Sequence, residues 1–146
     1  MKVVIQRVSR ASVSVEGKIV GRIGTGAVIF VGVARTDTEE DAAYLARKVS
    51  EIRLFSDKEN KMNVGPREAC AQFLIISQFT LYGDCRKGRR PSFDKAAPPE
   101  KGQAIYERLV ELIRKEGFEV ETGLFGAMMK VELVNEGPVT FVLESI

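Results

Sequence analysis

Ala27-Val28-Ile29-Phe30-Val31-Gly32-Val33-Ala34 is a run of eight positions with no polar side chain. A strand with one wet face alternates apolar and polar residues, so an unbroken run reads as a central strand covered on both faces. Any fold of this chain must therefore place a layer on each side of these residues. One such layer follows directly in the sequence. Ala42, Leu45, Ala46, Val49 and Ile52 recur at helical intervals, and Thr36 followed by Glu39 has the spacing of a capping box, which predicts a helix starting near Asp37.

The flanking segments extend the pattern. Lys2 to Val8 and Ala11 to Glu16 read as strands, with Gly17-Lys18 turning into Ile19 to Ile23 as an antiparallel meander. Ile52 to Phe55 and Phe73 to Leu81 read as further strands around a turn-rich excursion from Asp57 to Pro66. Pro98-Pro99-Glu100 opens a second helix whose face carries Ile105, Tyr106, Leu109, Val110 and Ile113, and Gly117 closes it. Phe118 to Glu121, Ala127 to Val134 and Val139 to Glu144 complete the strands, the last two joined by Asn135-Glu136-Gly137-Pro138 as a tight hairpin. The order predicts an α+β fold of mostly antiparallel sheet with two main helices packed on it, one domain over residues 1–146.

Several function classes drop out on composition. The chain has no histidine, which removes Ser-His-Asp and Cys-His nucleophile pairs, the HExxH zinc site and any imidazole base. Its two cysteines, Cys70 and Cys85, form no CxxC, and no acidic cluster has ligand spacing, so neither a metal nor a cofactor is expected. The N-terminal MKVVIQRVSR lacks the long apolar core of a signal peptide and no run approaches a membrane span, which fits a cytoplasmic protein. The net charge of +2 says little about partners, but Arg86, Lys87, Arg89 and Arg90 put four cations within five residues of a Gly/Pro-containing loop, where they can face phosphates.

Two motifs remain. Gly21-Arg22-Ile23-Gly24-Thr25-Gly26 resembles part of a dinucleotide fingerprint, yet a strand follows it where a phosphate-binding helix is required, so these are turn glycines. Gly137-Pro138 offers an exposed ridge of carbonyls with few side-chain atoms, and its peptide bond is expected trans from sequence alone. Ser77-Gln78-Phe79-Thr80-Leu81 ends an apolar run in polar residues, a place where backbone amides can be rigid and unpaired.

SQFTL at Ser77 to Leu81 and NEGPVT at Asn135 to Thr140 resemble the motifs of the D-aminoacyl-tRNA deacylases, and Met1 to Val8, Lys61-Met62-Asn63, Arg89 to Phe93 and Thr122 to Met129 extend the resemblance over nearly the whole chain. Glu136 stands where the family usually has Asp. The resemblance implies a homodimeric hydrolase that cleaves the ester between a D-amino acid and the terminal adenosine of tRNA, with Gly137-Pro138 cis and inserted into the partner's active site. It further implies that the carbonyls of Gly137 and Pro138 hold the substrate amino group and exclude an L side chain, that Arg7 holds this loop, and that the amides of Phe79 and Thr80 lie at the ester carbonyl. Ser77 and Gln78 would shape the pocket, and Phe125 and Met129 would hold the adenine. Thr80 lacks an activating histidine, so the 2′-OH of the terminal ribose is the favoured assistant. A covalent Thr80 and an RNA-binding module without chemistry remain open alternatives.

Overall fold

A computed structural model describes all residues from Met1 to Ile146. The strands are β1 (Lys2–Val15), β2 (Lys18–Ile23), β3 (Gly26–Gly32), β4 (Phe55–Ser56), β5 (Met62–Val64), β6 (Gln72–Ser77), β7 (Val120–Thr122) and β8 (Lys130–Glu144), and the helices are α1 (Glu39–Glu51) and α2 (Pro99–Lys115). One sheet runs β2-β1-β3-β6-β7, with β8 on the other edge of β1; β4 and β5 form a separate ribbon.

The expectation of a mostly antiparallel sheet is corrected to a mixed one, because β3 pairs β6 and β6 pairs β7 in parallel. The cause lies in the connections. The chain between β3 and β6 passes through α1, and that between β6 and β7 passes through α2, and a crossover through a helix returns the next strand in the same direction.

β3 is covered on both faces, as its composition requires. Ala27, Ile29 and Val31 join Phe73 and Ile75 of β6 beneath Leu45, Val49, Leu109 and Ile113 of the two helices. Val28, with Leu74 and Ile76, faces a second core made by Val8, Ala11, Val13 and Ile23, with Val131 and Leu133 packed against it. The second cover is thus the curled far end of β1 with its neighbours β2 and β8.

Four local expectations are revised. The two opening strands are one, since β1 is continuous from Lys2 to Val15. The first helix begins at Glu39, with Thr38 as N-cap and Asp41 completing the box, its carboxylate accepting from the Thr38 amide at 2.7 Å. The strand expected from Phe73 to Leu81 stops at Ser77, and Phe79–Tyr82 is a 3₁₀ turn. No hairpin exists at Asn135 to Pro138: both flanking segments belong to β8, which pairs β1 along its length.

Within β8 the register is interrupted rather than reversed. Gln6 pairs Thr140 and Val8 pairs Asn135, so Arg7 alone stands opposite Glu136 to Val139, and a further irregularity falls between Val8 and Arg10. A bulge of this kind lifts a few residues out of the ladder while the strand continues on both sides.

Candidate active site

The site begins where β6 ends. The Gln78 amide donates to the Val31 carbonyl at 2.7 Å, the last bond to β3, after which the chain winds into the 3₁₀ turn, with Leu81 N–H bonded to Gln78 O at 3.2 Å and Gly83 N–H to Thr80 O at 2.9 Å. Gly32 permits this turn to lie against β3: a Cβ there would come within 3.0 Å of the Leu81 Cβ and 3.2 Å of the Gln78 carbonyl oxygen. As the first two residues of the turn, Phe79 and Thr80 have amides with no acceptor inside it. The Gln78 side-chain amide donates to the Thr80 hydroxyl oxygen, which orients that hydroxyl without accepting its proton.

Beside the turn lies a cleft of about 550 Å³ bounded by Ser77, Gln78 and Phe79 on one side and by Tyr106 of α2 and Phe125 on the other. The walls are braced from behind. Phe79 meets Phe93 edge-on at 5.0 Å between ring centroids, and Tyr106 lies 5.9 Å from Phe125 while its hydroxyl donates to the Ile75 carbonyl at 2.8 Å. Burial pushes the Tyr106 phenol well above its ordinary range, so it remains a neutral donor.

Of the residues expected to bind adenine, Phe125 lines the cleft, whereas Met129 packs on the second core with its sulfur against Gly123. Gly137 and Pro138 do not line the cleft of their own chain. They stand exposed in the β8 bulge, joined by a cis peptide bond. The bulge is held at its base: Arg7 Nε donates to the Glu136 carbonyl at 3.1 Å and its Nη1 to the Leu54 carbonyl at 2.9 Å. Asn135 Nδ2 donates to the carbonyls of Arg7 and Val139 at 2.9 and 3.0 Å. Sequence reasoning assigned Arg7 by resemblance but missed Asn135, whose amide bridges both ends of the bulge.

The basic loop is organised by Asp84, which pairs Ser92 across its neck. Arg86 is turned inward onto this acid, with Nε 2.9 Å from Asp84 Oδ1, and holds the carboxyl well below the usual carboxylate range. Lys87, Arg89 and Arg90 are exposed and enter no ion pair. Three cations, not four, are therefore free.

This fold is shared with solved structures. One, described as a c-Myc DNA unwinding element binding protein, superposes with a TM-score of 0.93 at 37% identity, covering 100% of this chain and 99% of its own. A second, described as a probable eukaryotic D-amino acid tRNA deacylase, gives 0.85 at 20% identity over 98% of each chain, a likeness of fold. The family model for D-Tyr-tRNA(Tyr) deacylase matches residues 4–144. D-aminoacyl-tRNA deacylases from Thermotoga petrophila and Solibacter usitatus are 57% and 58% identical, covering 99% of this chain and 97% and 96% of their own. The chain belongs to the D-Tyr-tRNA(Tyr) deacylase family and is an enzyme, a hydrolase by class.

Proposed function

We propose that this chain acts as a cytoplasmic homodimer that hydrolyses the ester joining a D-amino acid, or glycine, to the 3′-terminal adenosine of tRNA. The observation that carries this reading is the Gly137-Pro138 ridge, held rigidly by Arg7 and Asn135 yet standing outside its own cleft. Such a ridge serves a site on another copy. Its carbonyls accept from the substrate ammonium and occupy the space an L side chain needs, so selection works by exclusion rather than by contact with the D side chain.

In the hydrolysis itself, the water oxygen bonds to the ester carbon, the bond to the ribose 3′ oxygen breaks, and the proton passes to that oxygen. The amides of Phe79 and Thr80, free of acceptors within their turn, are the oxyanion donors in this scheme, and the vicinal 2′-OH positions the attack. Ser77 and Gln78 shape the floor, Phe125 takes the adenine side, and Lys87, Arg89 and Arg90, with Arg86 when released from Asp84, meet tRNA phosphates. The Gln78 donor on the Thr80 hydroxyl disfavours a covalent Thr80, because it takes up an oxygen lone pair and removes no proton.

Deacylation of D-Tyr-tRNA, Gly-tRNA and L-Tyr-tRNA tests the reading. The first two are hydrolysed and the third is not; resistance of Gly-tRNA equal to that of L-Tyr-tRNA defeats exclusion, and resistance of all three defeats the activity.

A further inference from the structure

Arg35 is the one charged residue lining the cleft. It stands beyond the end of β3, with its backbone fixed from two sides: its amide donates to the Lys95 carbonyl at 3.0 Å and its carbonyl accepts from Lys101 Nζ at 2.6 Å. Its guanidinium enters none of the chain's ion pairs and makes no hydrogen bond within the chain, so all five donors remain available. The rest of the wall is apolar and aromatic, apart from Ser77 and Gln78 on the floor.

These two parts match two parts of one ligand. Aromatic walls take a base and ribose by stacking and contact, but they offer nothing to the phosphate that joins the terminal nucleoside to the nucleotide before it. A guanidinium does, since its fork meets two phosphate oxygens at once. We propose that Arg35 binds the 5′-phosphate of the terminal adenosine and so fixes how deeply the acceptor end enters the cleft. This inference rests on the deacylase reading above and adds to it a binding residue distinct from the Arg86 to Arg90 loop.

The test uses three substrates with the wild-type chain, Arg35→Ala and Arg35→Lys. They are the D-tyrosyl ester of adenosine, which has no phosphate, the D-tyrosyl ester of adenosine 5′-monophosphate, and D-Tyr-tRNA. Arg35→Ala is expected to lose about tenfold in kcat/KM on the two phosphate-bearing substrates, the scale of one hydrogen-bonded charge, chiefly through KM. On the adenosine ester it matches wild type, which also shows that the variant is folded. Arg35→Lys recovers part of the loss, and the salt dependence of log KM on tRNA falls by about 0.7 in Arg35→Ala. An equal loss on all three substrates makes Arg35 structural, and no loss on any makes it a solvated rim residue; either overturns the inference while the deacylase reading stands. If the wild-type chain cleaves none of the three, the deacylase reading fails and the inference with it.

Discussion

Replacing Asp37 tests the pair that closes the chain's two ends onto the fold. The Met1 ammonium lies 2.7 Å from Asp37 Oδ1 and 2.5 Å from Ser145 Oγ, and Asp37 Oδ2 accepts the Ala34 amide at 2.6 Å. The two side chains are 0% and 7% exposed, so solvent screening does little here. Taking one partner from a buried ion pair costs about 3–5 kcal/mol, because the other charge is stranded. Asp37→Asn keeps one oxygen for one of the two donors and should fall near 3 kcal/mol; Asp37→Ala leaves the Ala34 amide unpaired as well and should approach about 5 kcal/mol. In urea the midpoint for Asp37→Asn should drop by roughly 1–3 M, given slopes of about 1–3 kcal/mol/M, and Tm by about 6–12 °C. A loss below about 1 kcal/mol, or equal losses for the two variants, would refute the view that a buried charge pair is what Asp37 supplies. The strand-like bridge between Ala34 and Ala96 carries the same perturbation to the cleft wall, so activity should weaken before unfolding is complete.

Three shorter predictions follow. Thr80→Ala should retain most of the deacylation rate, while a tRNA ending in 2′-deoxyadenosine binds but is cleaved slowly; a dead variant with a normal deoxy substrate would favour covalent chemistry. Asp84→Asn should release Arg86 and steepen the log–log salt slope of tRNA binding by roughly 0.7 to 0.9, read by filter binding across a salt series. Because Arg86 holds the Asp84 carboxyl below its usual range, the pair survives above that range and is lost only when pH falls well beneath it, so acidifying from pH 7 to 5 should not mimic the variant. Tyr106→Phe leaves the Ile75 carbonyl without its donor and should cost about 1–3 kcal/mol in urea denaturation, with unchanged stability arguing that water replaces the hydroxyl.

What could be read in the sequence was local. The apolar run of β3 announced its two-sided burial, and α2 begins at Pro99 and stops before Gly117, whose φ of +88° is the left-handed turn its position implied. The cap of α1 was displaced because Thr36-Glu39 and Thr38-Asp41 both satisfy the same short pattern, and only the carboxylate geometry separates them. Asn135 to Pro138 carries every local mark of a hairpin, but the pairing of both flanks with β1 is non-local and overrides it. The same limit applies to the cleft. SQFTL and Phe125 were legible through resemblance, whereas Arg35, Phe93 and Tyr106 come together only when α2 and the segment before it fold back over the ends of β3 and β6.

The β8 bulge also sets a rule of parity. Odd-numbered residues of β8 point inward on both sides of it, yet Val139 belongs to the core under the helices while Val131 and Leu133 face the other core. Across both irregularities β8 advances from Val134 to Thr140 where β1 advances from Gln6 to Arg10, an even excess that keeps odd-numbered residues of the two strands on one face, Ile5 with Phe141 and Ala11 with Leu133. One unbroken alternation in sequence thereby serves two interiors. Lineages and engineers can lengthen or shorten this loop only in steps of two: excising Gly137-Pro138 together leaves every apolar side chain aimed at its own core, while removing either one alone would turn Val131 and Leu133 into water. The length of the bulge is thus quantised by the interiors on either side.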